Sequence, residues 1–202
     1  MSFKKLTLEE FTSELSGGSA TPGGGSVAAL ATALSSSLLK MVINLTKDNA
    51  ELDSFSADLD KDIKDALHLI DRDCDSFNEV MEAYRLPKES EAEKEKRREA
   101  IEEGLKNATL TPFDTMKVSF KLLQISLKVA REGNKNAISD AGVAGFQAYA
   151  AVKGAYFNVK INTSSLDDEE FKSPINKEAE KMLEESNQMI ARLEEYLIEQ
   201  IC

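Results

Sequence analysis

A chain of 202 residues is long enough for one domain with a substantial apolar core, and we treat residues 1–202 as a single domain. Its 36 acidic and 25 basic side chains give a formal net charge of -11. This charge argues against a nucleic-acid-binding surface, because such surfaces need an excess of Lys and Arg. Two cysteines are too few for a disulfide framework, so a reducing compartment is expected.

The first predicted helix follows the N-terminal stretch MSFKKL, which has no apolar run of signal-peptide length and so favours a cytosolic protein. TLEE at residues 7–10 is a capping box, with Thr7 at the cap and Glu10 three residues later. A short helix should begin there and end before the glycines at 17 and 18.

An apolar helix is predicted next, over Val27–Leu45, after the glycine-rich stretch GGSATPGGGS at residues 17–26. It is about as long as a membrane span needs to be. Its serines, its abundant alanine and Lys40 instead favour a helix buried on all sides in a soluble bundle without membrane association.

A long amphipathic helix is predicted from about Ser54 to Arg85, and it should end at Leu86 because Pro87 disfavours helix at the preceding residue. The prediction rests on a set of apolar residues spaced by threes and fours: Phe55, Leu59, Ile63, Leu67, Ile70, Cys74, Phe77, Met81 and Tyr84.

Capping signals predict the remaining helices. SEAE at 90–93 should begin a charged helix that ends at about Leu105, and TP at 111–112 should begin a helix that ends at Gly133. Ser139 should cap a helix that ends at about Lys160. SPIN at 173–176 should begin a final amphipathic helix. No stretch shows sustained alternation of period two, so the predicted fold class is all-α, a single-domain helical bundle.

Two of the predicted helices are dominated by small residues, over Val27–Leu38 and Ala141–Gly154. Because small residues let helix backbones approach closely, these two helices should cross at the centre of the bundle. We expect the glycine loop before Val27 and the polar loop GNKNAISD at 133–140 to meet there and form a pocket.

The glycine loop fits neither common nucleotide motif. The Lys-Ser/Thr pair of a phosphate-binding P-loop is missing, and the spacing G-x-G-x-x-A in GGGSVA lacks the preceding strand of a dinucleotide site. Two interpretations remain open: a tight reversal capped by Ser26, or a cradle of backbone N–H groups at a helix start for an anion or carbonyl.

Two carboxylates are candidates for catalysis. Asp73 adjoins the apolar stripe of the long helix, where burial would raise its pKa and make it a general acid. Asp140 lies in the first turn of a small-residue helix, where interaction with the helix dipole would also explain it. An ordinary solvated helix face is the alternative for Asp73. The single histidine, His68, has no second histidine to form a metal pair, and no metal site is predicted.

Three segments together resemble the C-terminal domain family of formiminotransferase-cyclodeaminase, whose stand-alone bacterial members include formimidoyltetrahydrofolate cyclodeaminases and methenyltetrahydrofolate cyclohydrolases. They are residues 11–46 with TPGGGS, residues 71–88 with DCDSF, and residues 133–162 with GNKNAISD. The resemblance covers essentially the whole chain, in order and with comparable spacing.

The resemblance implies a homodimeric all-helical domain that binds a tetrahydrofolate derivative as substrate and needs no other cofactor. It implies that the proton donor is Asp73, the first residue of DCDSF, and it makes Asp140 a second candidate catalytic residue. The implied substrate-binding residues are Thr21, Pro22, Gly23, Gly24, Gly25, Ser26, Asn136 and Ser139, with Arg85, Lys88 or Arg97 for the anionic glutamate tail.

Two reactions fit this expectation. A cyclodeaminase closes 5-formimidoyltetrahydrofolate to the 5,10-methenyl form and releases ammonia, which requires a positioned acid. A cyclohydrolase opens the methenyl form with water to 10-formyltetrahydrofolate, and the same carboxylate could act as base and then as acid. A helical module that binds folate without turnover is the alternative from another class.

Overall fold

The computed structural model describes residues 2–201, which form seven α-helices and two short 3₁₀ turns and contain no β-strand. The helices are α1 (Leu8–Leu15), α2 (Gly24–Asn44), α3 (Ala50–Asp53), α4 (Ser56–Arg85), α5 (Glu91–Glu132), α6 (Ile138–Ser164) and α7 (Glu169–Ile201). The 3₁₀ turns, Phe3–Lys5 and Lys135–Ala137, precede α1 and α6. The predicted all-α fold class is confirmed.

Both predicted capping boxes are present. Thr7 Oγ1 accepts the N–H of Glu10 at 3.2 Å, and Glu10 in turn accepts the N–H of Thr7 at 2.8 Å. Ser90 and Glu93 repeat the arrangement at the start of α5, with distances of 3.3 and 2.8 Å. Each box satisfies two backbone donors that a helix start leaves free, so both helices begin where the sequence indicates.

The predicted break at residues 105–111 is wrong, because α5 runs without interruption through Pro112. A proline inside a helix has no N–H for the carbonyl four residues earlier, which here belongs to Ala108. Asn162 of α6 donates from Nδ2 to that oxygen at 2.7 Å. A side chain from a neighbouring helix therefore occupies the acceptor that Pro112 leaves free.

Two predicted helix starts are also wrong. The final helix begins at Glu169 rather than at Pro174, because Asp168 Oδ1 accepts the N–H of Phe171 at 3.0 Å and caps the new turn. Ser139 does not cap α6, which begins one residue earlier at Ile138 without a side-chain cap. The preceding 3₁₀ turn is instead capped by Asn134, which accepts the N–H of Asn136.

The two small-residue helices pack against each other at the centre of the bundle, as predicted. They are antiparallel: a Cβ added to Gly154 of α6 would lie 3.6 Å from Ala28 Cβ near the start of α2. At the other end, the N–H of Asn134 donates to Thr46 Oγ1 at 2.9 Å. α4 and α5 also pack against α2, and α7 packs against α6.

α2 is long and apolar enough to cross a membrane by length and composition alone, although most of its apolar window is buried inside the bundle. Its buried residues are small or aliphatic, and they include Ala29, Leu39, Val42 and Ile43 in the apolar core. The apolar residues of this helix therefore mostly serve to pack it between α4, α5 and α6.

Candidate functional site

The first turn of α2 lies against the carboxylate of Asp73 on α4. Gly23 occupies the N-cap position, and α2 begins at Gly24. Ser26, the third helical residue, is fully buried, and its Oγ donates to Asp73 Oδ2 at 2.8 Å. The same hydroxyl lies 3.3 Å from Cys74 Sγ. The serine thus fixes the carboxylate at the end of the helix.

Gly25 is required by this close approach. A Cβ built on Gly25 would lie 2.6 Å from Asp73 Cγ and would overlap Oδ1. A Cβ on the neighbouring Gly24 would make only an ordinary contact of 3.8 Å with Asn158 Nδ2 on α6. Any residue other than glycine at position 25 would therefore push the Asp73 carboxylate away from the helix.

The pKa of Asp73 is raised above its ordinary value. Burial is the largest cause, because it disfavours the charged carboxylate, whereas the hydroxyl and the amide of Ser26 act in the opposite direction. Burial prevails, so Asp73 holds its proton more tightly than an exposed aspartate does. A raised pKa is the direction of change that suits a carboxyl for proton donation.

Two exposed aromatic side chains lie on helices that contribute to this part of the molecule. Phe77 follows Asp73 by one helical turn on α4 and is partly exposed, although its place in the apolar stripe suggested burial. Phe157 of α6 is exposed next to Asn158, the residue that faces Gly24. Pro22 is buried in the loop before α2, and its peptide bond to Thr21 is cis.

The neighbouring ionisable residues of α4 have other environments. Asp71 accepts hydrogen bonds from Ser2 Oγ at 2.7 Å and from the N–H of Lys4 at 3.2 Å. Burial acts to raise the pKa of Asp71, but these bonds together outweigh it and lower that pKa. His68 is exposed and accepts from Lys4 Nζ at 2.7 Å. Both residues hold the N-terminal segment against α4.

The second predicted group, Asn136, Ser139 and Asp140, lies far from Asp73 within one chain. These residues are at the start of α6, beside the C-terminal end of α2. The 21 residues of α2 span about 30 Å at 1.5 Å per residue. The expectation that the two loops meet in one pocket is therefore wrong for a single chain, because α2 and α6 are antiparallel.

The predicted basic residues lie around the end of α4. Arg85 and Lys88 are both exposed, and Lys88 lines a cleft of about 320 Å³ together with Lys94, Arg97, Arg98, Ile101, Glu102, Ser165 and Asp167. Arg97 turns back toward α4 and donates to the carbonyl of Tyr84 at 3.1 Å. Lys94 and Arg98 were missed because the charge run 89–104 resembles an ordinary solvated helix.

A partly buried carboxyl with a raised pKa, held at a helix start, is suited to acid–base catalysis. Among residues 2–201, no three His, Cys, Asp or Glu side chains are grouped closely enough to hold a metal ion. The described residues thus define an all-helical protein whose candidate chemistry depends on one carboxyl group.

Comparison with known proteins identifies the family. Residues 7–181 match the family model described as formiminotransferase-cyclodeaminase. The chain is 37% identical over 196 residues to a methenyltetrahydrofolate cyclohydrolase of Methylorubrum extorquens, with 94% of each chain covered. It is 38% identical over 189 residues to a formimidoyltransferase-cyclodeaminase of Gallus gallus, covering 90% of this chain and 35% of that protein.

A solved structure has the same fold. The formiminotetrahydrofolate cyclodeaminase of Thermotoga maritima matches with a TM-score of 0.77 and 26% identity, over 96% of this chain and 98% of that one. The chain therefore belongs to the formiminotransferase-cyclodeaminase family, as the resemblance implied. It spans nearly all of its Methylorubrum relative but only about a third of its Gallus relative.

Proposed function

We propose that this protein is a folate one-carbon enzyme that converts 5-formimidoyltetrahydrofolate to 5,10-methenyltetrahydrofolate and ammonia. The observation that carries the proposal is the partly buried Asp73 carboxyl held against the start of α2 by Ser26, whose raised pKa suits a proton donor. The T. maritima protein of the same fold, named as a cyclodeaminase, supports it.

Asp73 has one task in this reaction. N10 of the folate attacks the formimidoyl carbon, which forms a tetrahedral intermediate and leaves the former imine nitrogen as an amine. That amine departs as ammonia only when it is protonated, and Asp73 donates the proton. The resulting carboxylate is stabilised by the Ser26 hydroxyl and by the positive end of α2.

The surroundings of Asp73 suit a pterin and a glutamate tail. Phe77 and Phe157 offer exposed aromatic surface against which a planar ring can pack. The basic cleft of Lys88, Lys94, Arg97 and Arg98 lies near Tyr84, 11 residues beyond Asp73 on α4, or about 16 Å along the helix. An extended folate bound along α4 would place its carboxylates near this cleft.

Methenyltetrahydrofolate cyclohydrolase is the second candidate. The Methylorubrum relative bears that name and matches this chain nearly end to end. In this reaction the ionised Asp73 takes a proton from the attacking water and then returns one to N5, which departs while the formyl carbon stays on N10. The same carboxyl therefore serves both reactions, with opposite protonation states at the start.

We also propose that the protein acts as a homodimer in the cytosol. The homodimer is supported by exposed apolar side chains on α2 and α6, including Leu34 and Ile161, which an isolated chain would leave in water. The location is supported by the absence of a disulfide framework in the sequence.

The test follows the methenyltetrahydrofolate chromophore in two assays with the purified protein. One supplies 5-formimidoyltetrahydrofolate and measures the appearance of the methenyl form together with ammonia. The other supplies methenyltetrahydrofolate and measures its decay against the uncatalysed rate. Appearance identifies the cyclodeaminase, and accelerated decay identifies the cyclohydrolase. Folate binding without turnover in either assay would contradict both and identify a binding module.

A further inference from the structure

The amide of Asn158 lies against the same helix start as the Asp73 carboxyl, but it comes from a different helix. Asn158 Nδ2 of α6 is 3.8 Å from the Cβ position of Gly24, and Asp73 Oδ1 of α4 overlaps the Cβ position of Gly25. The two side chains thus meet consecutive glycines in the first turn of α2. Because the Cα atoms of neighbouring residues are about 3.8 Å apart, Nδ2 and Oδ1 are separated by at most about 13 Å.

The orientation of the Asn158 amide is fixed by its own helix. Nδ2 donates to the carbonyl of Gly154 at 2.9 Å, and this is the only hydrogen bond of the amide within residues 2–201. A carbonyl can only accept, so the amide nitrogen lies on the side of Gly154 and the amide oxygen on the other side. Asn158 is half-buried. It therefore offers one acceptor and one remaining N–H donor beside the start of α2.

Two backbone donors lie between the amide and the carboxyl. The N–H groups of Gly24 and Gly25 belong to the first turn of α2, where backbone donors have no partner in their own helix. Neither donates to another backbone group or to a side chain within the part of the chain that the structure describes. The helix start therefore has free hydrogen-bonding groups between Asn158 and Asp73, which a polar ring system could use.

Helix stability alone does not account for an asparagine at position 158. Asparagine is a poor helix former, because its side chain competes with the backbone for hydrogen bonds. The bond from Nδ2 to Gly154 is a competing contact of this kind, since it uses a carbonyl that the helix already employs. A residue that favours α6 less than alanine or leucine would is more easily explained by contact with a ligand.

We propose that Asn158 determines specificity by binding the pyrimidine edge of the pterin, while Asp73 acts at the one-carbon unit. That edge carries N–H donors next to acceptors, so it pairs with the free N–H and the free oxygen of one amide. The proposal rests on the folate function proposed above. A pterin bound in this way bridges the two side chains, so Asn158 sets the position of N5 relative to Asp73 and takes no part in proton transfer.

Two fragments of the substrate test this assignment. 6-Methyltetrahydropterin carries the pterin alone, and p-aminobenzoylglutamate carries the remainder of the folate. Their dissociation constants are measured by anaerobic isothermal titration calorimetry with the wild type and with Asn158→Leu. The loss of two neutral hydrogen bonds should weaken binding of the tetrahydropterin roughly 5- to 100-fold. Binding of p-aminobenzoylglutamate should not change.

Two further variants separate ligand binding from a structural role. Gln188→Leu removes an exposed amide from α7 and should change neither dissociation constant. Asn158→Asp keeps the side-chain shape and removes the amide donor, so it should also weaken tetrahydropterin binding. It replaces Asn158→Leu if that variant loses helical content by circular dichroism. A merely structural role would lower the free energy of unfolding and leave the ratio of the two dissociation constants unchanged.

Three results would overturn the proposal. They are equal affinity of the wild type and the Asn158 variants for tetrahydropterin, weakening confined to p-aminobenzoylglutamate, and a wild type that binds no tetrahydropterin. The fragments report binding without turnover, so the outcome is separate from that of the folate assays. A wild type that binds tetrahydropterin through Asn158 but shows no turnover would contradict the proposed function and support this assignment.

Discussion

Two opposing effects act on the carboxyl of Asp73. Two features favour the charged form. The Ser26 hydroxyl donates a hydrogen bond to the carboxylate, and the N-terminus of α2 places the positive end of the helix dipole beside it. Partial burial favours the neutral form. Burial is the larger effect and raises the pKa of Asp73. The site therefore provides an acid that is stabilised again after its proton has left.

The first prediction concerns the chemical role of this acid. Asp73→Asn keeps the shape of the side chain and removes the proton, so kcat should fall by about 10² to 10⁴-fold, with little change in KM. Steady-state kinetics with 5-formimidoyltetrahydrofolate measures both constants. Full turnover in a variant with unchanged helical content would show that Asp73 is not the donor.

The second prediction concerns stability against pH. Because the pKa of Asp73 is raised in the folded protein, its contribution to the free energy of unfolding is complete below its ordinary value of 3.8. That contribution falls as pH rises through the folded-state pKa. The stability of the wild type relative to Asp73→Asn should therefore decrease with rising pH and then level off. Urea unfolding of both proteins from pH 3.5 to 8 measures this difference in stability. A difference that increases with pH would mean that the helix N-terminus lowers the pKa of Asp73 more than burial raises it.

The third prediction concerns Gly25. Gly25→Ala should displace the Asp73 carboxylate, because the new Cβ overlaps its oxygen. A displacement of about 1 Å costs up to about 10²-fold in rate. Gly18→Ala is the matched control, since a Cβ there meets nothing within 4 Å. Equal kinetics of the two variants would show that the close approach of helix and carboxylate does not matter for turnover.

At the scale of helices, α5 depends on a contact from outside itself. Pro112 is buried in the middle of a 42-residue helix, where a proline would ordinarily weaken it. The bond from Asn162 to the Ala108 carbonyl satisfies the acceptor that lacks its usual N–H. The same bond fastens α6 to α5, so the irregularity in one helix becomes an attachment point for the next.

The fourth prediction tests that compensation. Asn162→Leu leaves the Ala108 carbonyl without a donor and should lower the free energy of unfolding by about 1–3 kcal/mol. In a Pro112→Ala background the new N–H of residue 112 can donate to the same oxygen, so the cost should shrink. Urea unfolding of the four proteins in a double-mutant cycle measures the coupling. Strictly additive effects would contradict the compensation.

At the scale of the whole molecule, charge is distributed unevenly. The chain carries a net charge of -11, yet four basic residues line the cleft beyond the end of α4, beside Glu102 and Asp167. A folate tail with several carboxylates would be repelled by much of the acidic surface and attracted to this cleft. The cleft therefore attracts and orients an anionic substrate, although the protein as a whole is acidic.

The fifth prediction follows from this cleft. Lys88→Ala combined with Arg98→Ala should raise KM for a polyglutamylated folate roughly 2- to 30-fold at low ionic strength, since each exposed charge contact contributes about 0.2–1 kcal/mol. The kcat should stay unchanged, and added salt should reduce the difference. Lys61→Ala combined with Lys181→Ala removes the same charge elsewhere and serves as the control. An equal effect of both pairs would contradict a specific tail site.

The sequence by itself determined the all-helical class, both capping boxes, the long helix α4 and the inward position of Asp73. These features depend on side-chain spacing and on hydrogen bonds within a few residues, which a linear pattern records. Only the tertiary structure decided that Pro112 lies inside a helix, because the Asn162 side chain that donates to the Ala108 carbonyl lies 54 positions away in the sequence. The tertiary structure alone also decided that Asp73 and Asp140 lie at opposite ends of α2. The relative direction of α2 and α6 does not depend on any pattern of neighbouring residues in the sequence.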